Sequence, residues 1–417
     1  MEKVIKSNAF LGLFIFLGCG LMVFQNLAVP AASSRYDLTC FLILFAVIFF
    51  QKDKKELNIS VVIFFTFFLT LEVFKILYFQ YASSTRLLSG IIWAGGLFLI
   101  FLKKDFIFYN QRLLFLAFIF GFFVTSIWFL KQFIFGMDTG GFSNLVFRPK
   151  GFFDEPSYAG LFLYSISAAS FSLLFLMRLS RKDSLSFLLI GFTAFILASA
   201  TLSMHIATYL LSMVFVLIVT LLISNNILYK FIVSFISVSL FLTIAFYLSS
   251  QQHFIDRLTF VGSNNLSVVS WLQGLHQALT SLADSPVFGF GLGSTGGFEF
   301  ISDTHYKLEV WRKVGQNRLD GYSMAYRIVI ELGFVFFLFL LFEIFKELLL
   351  FIKTVIKFKD SNEKKFYIFN FIFSLTLLLG ILIKEPTYTR SYVYVAVLIF
   401  FTARIIFNKS LSGTSNA

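Results

Sequence analysis

About twelve stretches of roughly 20 mostly apolar residues, separated by short polar connections, restrict where this chain can exist. They lie near 8–30, 38–50, 57–78, 87–102, 112–130, 156–177, 184–201, 204–223, 228–249, 324–345, 366–383 and 389–407. A helix of that length crosses the hydrocarbon core of a bilayer. Composition agrees: 58% of the 417 residues are hydrophobic, 13% are charged, and 62 are Phe. A water-soluble domain cannot solvate such a surface. The expected fold class is therefore all-α, a polytopic integral membrane protein with 1–417 as a single transmembrane domain. The first apolar stretch is longer than the core of a cleaved signal segment, so it reads as a retained span.

The net charge of +12 would suggest nucleic acid in a soluble protein. Here the cations sit in the connections between apolar stretches, and that placement sets orientation instead. With a cytoplasmic N-terminus, twenty Lys and Arg fall in inside segments and seven in short outside ones. Both termini are expected in the cytoplasm, and no nucleic acid is expected as a partner. The two cysteines, Cys19 and Cys40, lie in apolar stretches. They make neither a disulfide framework nor a zinc site. The four histidines lack ligand spacing, so no metal and no cofactor is expected.

Two outside segments exceed a minimal hairpin: 131–155 and 250–323. Loops of this length are usually functional or disordered. The second carries Trp271, Trp311 and the helix-like SVVSWLQGLHQALTSL, so it is expected to be a large, partly helical outer loop. The chemistry of the protein is expected at the outer face.

The first segment ends in RPKGFFDEPSYAG, Arg148 to Gly160. Asp154, Glu155 and Pro156 suit the first turn of the following span, where carboxylates meet the positive dipole end and Pro gives up no bond. That reading leaves Arg148 and Lys150 unexplained. Ionisable groups at the edge of a low-dielectric slab are functional candidates. A cation there can hold a phosphate, and a carboxylate can take a proton from a nucleophile.

DSPVFGFGLGSTGG, Asp284 to Gly297, contains a literal G-x-G-x-x-G. A dinucleotide site needs a preceding strand and a βαβ unit, and the flanking sequence offers neither. An anion-binding nest of backbone N–H groups and a plain connecting turn both remain open. In WRKVGQNRLDGYSMAYRIVIELG, Arg327 and Glu331 stand four apart on one helix face and are expected to pair. Within that stretch Arg312 and Arg318 have no obvious sequence-local partner except Asp320 and are candidate anion ligands. KEPTYTRSY, with Lys384, Glu385 and Arg390, repeats the cation, carboxylate and proline theme in a short hairpin. Glu72 with Lys75, and His205, are expected to be satisfied interior groups.

GFFDEPSYAG before a span, the PVFGFGLGS turn, ELG in a later span and one large outer loop together resemble the Wzy-type bacterial O-antigen polymerases. These belong to the O-antigen polymerase and ligase superfamily. The architecture covers the whole chain, while the specific motifs cover about 148–160, 284–296 and 322–333. The resemblance implies an all-helical, GT-C-like, inverting and metal-independent glycosyltransferase in the bacterial inner membrane, with a periplasmic site. It implies a lipid-linked donor and acceptor, both oligosaccharides on undecaprenyl pyrophosphate. A chain-length regulator, the polysaccharide co-polymerase, is a candidate protein partner.

Carried onto this sequence, the resemblance gives Arg148, with Lys150 beside it, and Arg312 or Arg318 as pyrophosphate ligands. Glu155 is the candidate base, with Asp154 and Asp320 as further carboxylates. Arg257 and Arg390 are the remaining cation candidates. The sequence departs from relatives at two places. Ser267 to Ser270 precede Trp271, leaving Arg257 as the nearest upstream cation. Tyr322 and Ser323 stand where ligase relatives carry a His. A ligase is the alternative within the superfamily, and a lipid-linked oligosaccharide flippase the alternative of another class.

Overall fold

The computed structural model describes Thr66, 70–72, 74–75, 77–79, 111–135, 149, 153, 156–201, 203–223, 266–285, 287–296, 303–311, 323–384, 393, 395–397 and 399–401. Among these residues every regular element is helical. The helices are α1 (Gln111–Phe135), α2 (Pro156–Leu176), α3 (Arg181–Ala200), α4 (Ile206–Ile223), α5 (Leu266–Asp284), α6 (Asp303–Val310), α7 (Met324–Leu332), α8 (Phe334–Lys357) and α9 (Asn362–Lys384). A 3₁₀ turn spans Ser294–Gly296. Within α1, α2, α3, α4 and α9 lie five stretches long and apolar enough to cross a membrane. The chain is a membrane-embedded helical protein.

Helix ends follow local chemistry. Pro156 opens α2, where a missing N–H breaks no intrahelical bond. Ser180 caps α3 by accepting from Asp183 N at 3.1 Å, and Asp183 itself lies in the first turn, where its charge suits the dipole. Ser323 caps α7 the same way, accepting from Tyr326 N at 3.2 Å.

α2 is apolar on every side and occupies the centre of the bundle, which is the fate of a helix with no polar face. Around it pack α3, α4 and α9, and α1 covers α9. Phe118 stacks on Phe373 at 4.0 Å and Phe351 on Phe371 at 4.2 Å. α2 also carries buried serines, which the packing accommodates: Ser165 donates to Leu161 O at 2.9 Å and Ser167 to Gly191 O across the α2–α3 interface at 2.9 Å.

The span expected over 324–345 takes a different form. Gly333, at φ 87°, ends the nine-residue α7 and starts α8, which continues to Lys357. Both pieces are helical, but one Gly in the left-handed region breaks the ladder between them.

One end of the bundle gathers the basic connections. Asn370 Nδ2 donates to Gln111 O at 3.1 Å, and Lys365 lies 3.5 Å from Asp183. Asp360, between α8 and α9, accepts from Arg178 N at 2.9 Å and from Lys364 Nζ at 3.0 Å. Burial alone would raise the Asp360 pKa. The Arg178 amide, then the Lys364 hydrogen bond and the charges of Lys364 and Arg178, outweigh it and hold the group below its ordinary 3.8. Its clasp therefore contributes fully above the ordinary aspartate range and is lost as pH falls below it. Asp360→Asn should lower the thermal midpoint in detergent at pH 7 slightly, since the group is partly exposed. Midpoints measured down to pH 3 should bring variant and wild type together; a gap that widens on acidification contradicts the assignment.

Candidate functional site

The opposite end of the bundle carries the start of α2, the 201–205 link between α3 and α4, and the end of α9. These come into close contact. A Cβ on Gly160 would stand 2.7 Å from the Ser203 Cβ, and one on Gly380 would stand 3.2 Å from His205 Nδ1. His205 is buried here, as expected for an interior group, and its amide donates to Ser203 Oγ at 3.3 Å. Just before α2, Phe153 is buried and meets the Phe162 ring at 5.8 Å, and Pro149 is also buried. In sequence, Asp154 and Glu155 thus stand between two buried anchors, Phe153 and Pro156.

The large loop contributes α5, α6 and the glycine turn between Val287 and Gly296. The expected helix over SVVSWLQGLHQALTSL is α5. Trp271 ties it to this end, donating Nε1–H to Ile383 O in the last turn of α9 at 3.1 Å and lying 5.3 Å from the Tyr326 ring. A single indole thus satisfies a free carbonyl at a helix C-terminus and packs the loop on α7.

Beneath α5 four charged side chains are buried together. Lys75 pairs with Glu72 in the third expected span, and Arg327 Nε donates to Glu331 Oε1 at 3.0 Å on α7. The expected Arg327–Glu331 pair and the interior placement of Glu72 and Lys75 are both present. The glycine turn joins them. Leu292 N donates to Glu72 Oε2 at 2.8 Å, and Thr295 Oγ1 donates to Glu331 Oε1 at 2.7 Å. Lys75 Nζ donates to Phe288 O at 2.7 Å and to Glu331 O at 3.3 Å. Phe290 N and Gly291 N donate to Ile330 O and Glu331 O, both at 2.9 Å.

This settles one alternative left by the sequence. A helix, α5, precedes the turn, so a strand-led dinucleotide fold does not form around G-x-G-x-x-G. Of the turn's amides, Leu292 N donates to the chain's own Glu72 carboxyl, while Phe290 N and Gly291 N are taken by backbone carbonyls. Gly289 and Gly333 have φ of 67° and 87° and touch back to back. A Cβ on Gly289 would stand 2.5 Å from Gly333 N. Neither position tolerates a side chain.

No protein-family model and no curated protein matches the chain.

The catalytic candidates Glu155, Asp154 and Asp320 lie outside the described residues, as do Arg148, Lys150, Arg312, Arg318, Arg257 and Arg390. Of their sequence neighbours the structure describes Phe153 and Pro156, both buried, and of the large loop the docked helix α5. Among the described residues no group of three or more His, Cys, Asp or Glu is gathered as a metal would require. The charge cluster under the turn escaped sequence reasoning in one respect. Each ion pair is legible as an i,i+3 or i,i+4 spacing, but nothing in the sequence signals that Lys75 meets the backbone of Glu331, 256 residues away.

Proposed function

We propose that this protein is a Wzy-type polymerase, a GT-C-like membrane glycosyltransferase of about twelve spans. It joins undecaprenyl-pyrophosphate-linked repeat units at the periplasmic face of the bacterial inner membrane, and both termini are cytoplasmic. The observation that carries this reading is the concentration of polar structure at one end of an apolar bundle. There Trp271 docks the large loop on α9 and α7, and Phe153 and Pro156 anchor the segment holding Asp154 and Glu155. The far end gathers Arg178, Lys364 and Lys365, and cations of this kind support a cytoplasmic face there under the positive-inside rule.

In this reading the polyprenyl pyrophosphate is already a good leaving group. Glu155 accepts the proton of the acceptor hydroxyl, while Arg148 and an arginine of the large loop (Arg312 or Arg318) neutralise the departing charge. The C–O bond to pyrophosphate breaks as the new glycosidic bond forms. Orientation and proton transfer are the work left to the protein. Purified protein given lipid-linked repeat units should produce a ladder of polymer on a gel, with undiminished yield in excess EDTA. Activity that returns only with Mg²⁺ or Mn²⁺ would make the carboxylates metal ligands and overturn the assignment of Glu155. Transfer of preformed polymer without any ladder would favour the ligase.

A further inference from the structure

The tip of the glycine turn is apolar and exposed. Val287 is 43% and Phe288 56% exposed, although both belong to the outer loop. They flank Gly333: a Cβ there would stand 2.6 Å from the Phe288 carbonyl carbon. From Gly333 starts the exposed apolar face of α8, with Phe334, Val335, Leu338 and Phe339. On the other side the turn runs along the third expected span, where Lys75 meets Phe288 O and the Phe79 and Phe290 rings lie 5.0 Å apart. Phe74 and Tyr78 of that span are exposed and stack at 6.1 Å. The tip therefore continues an apolar surface that membrane-embedded helices turn outward.

Trp271 touches both Tyr326 and the last turn of α9, so the N-terminal part of α7 lies near that helix end. Seven residues of helix axis separate Tyr326 from Gly333, about 10 Å at 1.5 Å per residue. A loop can enter hydrocarbon only where its backbone groups are satisfied by protein. Five backbone groups at and beyond the tip meet that condition. Phe288 O accepts from Lys75, Gly289 O from Ser285 Oγ at 3.3 Å, and the amides of Phe290, Gly291 and Leu292 are all engaged.

We propose that the turn is a re-entrant wedge whose tip, Val287 and Phe288, is immersed among the lipid acyl chains of the leaflet at the loop-bearing end. Glu72 and Lys75 are charged residues in an apolar span because the wedge needs a buried acceptor and donor for its backbone. The proposal rests on membrane embedding alone and stands whether or not the protein is a polymerase.

The test uses full-length protein in nanodiscs, with Cys19 and Cys40 replaced by Ser and one nitroxide label introduced through Phe288→Cys. Separate preparations carry the label through Val287→Cys, through Phe339→Cys on the exposed face of α8, and through Glu309→Cys on α6. Collision rates with oxygen, which partitions into lipid, and with a water-soluble nickel chelate give a logarithmic ratio for each site. That ratio should be negative at 309 and positive at 339, 288 and 287. A negative ratio at 288 and 287 would place the tip in water and overturn the wedge. Exclusion of both probes there would place it against protein and overturn it equally. Because the labels at 287 and 288 are independent, failure of one variant to assemble leaves the other to decide.

Discussion

Glu155→Gln should reduce polymer formation by about 10²- to 10⁴-fold while the protein accumulates in the membrane at near-normal level, because loss of a general base has effects of that size. The substitution removes charge and keeps shape. If Glu155 serves only the first turn of α2, an amide fills that role nearly as well and polymer should be close to normal. The two roles therefore separate on one gel, read beside a membrane immunoblot. Arg148→Ala should be as damaging, and Arg148→Lys informative: lysine keeps the charge and loses the forked geometry that grips two phosphate oxygens. Equal activity of Arg148→Lys and wild type would mean that only charge matters there.

The second large effect concerns the buried charges. Lys75→Met leaves Glu72 buried with only an amide, Leu292 N, in place of a cation, and takes from Phe288 O the Lys75 ammonium that donates to it. Removing one partner of a buried pair destabilises by about 3–5 kcal/mol, because the other charge stays uncompensated. The thermal midpoint in detergent should fall sharply. Adding Glu72→Gln to Lys75→Met should restore part of the loss, since an amide oxygen can still accept from Leu292 N without a stranded charge. A double variant as unstable as the sum of the singles would show that the two side chains act independently, contrary to the geometry.

Much of the bundle could be read from apolar length alone. The spans expected over 156–177, 184–201 and 204–223 are α2, α3 and α4. The span expected over 324–345 was misjudged because hydropathy averages across Gly333, whereas the break depends on one residue's φ and on a turn whose Gly289, 44 residues earlier, fits against it. The site was legible to a different degree. Local signals found the i,i+4 pair Arg327–Glu331, the capping proline of α2 and the helix in the large loop. They could not find the union of two ion pairs by the glycine turn, since burial and backbone acceptors leave no periodic trace. The α6 helix was missed because eight mostly polar residues carry no amphipathic signature.

The pairing of α2 with α9 has a consequence for biogenesis. Among the five apolar helices of the described residues α2 is the most enclosed, with 83% of its apolar core buried, and α9 follows at 78%. They are made far apart in time. At roughly 5–20 residues per second, Asn362 is synthesised about 10–40 s after Leu176. During that interval α2 already has α3 beside it, locked by Ser167 to Gly191 O, while the side later covered by α9 has no final partner. The Arg178 to Asp360 bond, which spans 182 residues of sequence, can close only at the end of the interval. The nascent protein must therefore reside in the bilayer as an open half-bundle, its central helix facing lipid or an insertion chaperone, until the last third of the chain arrives to enclose it.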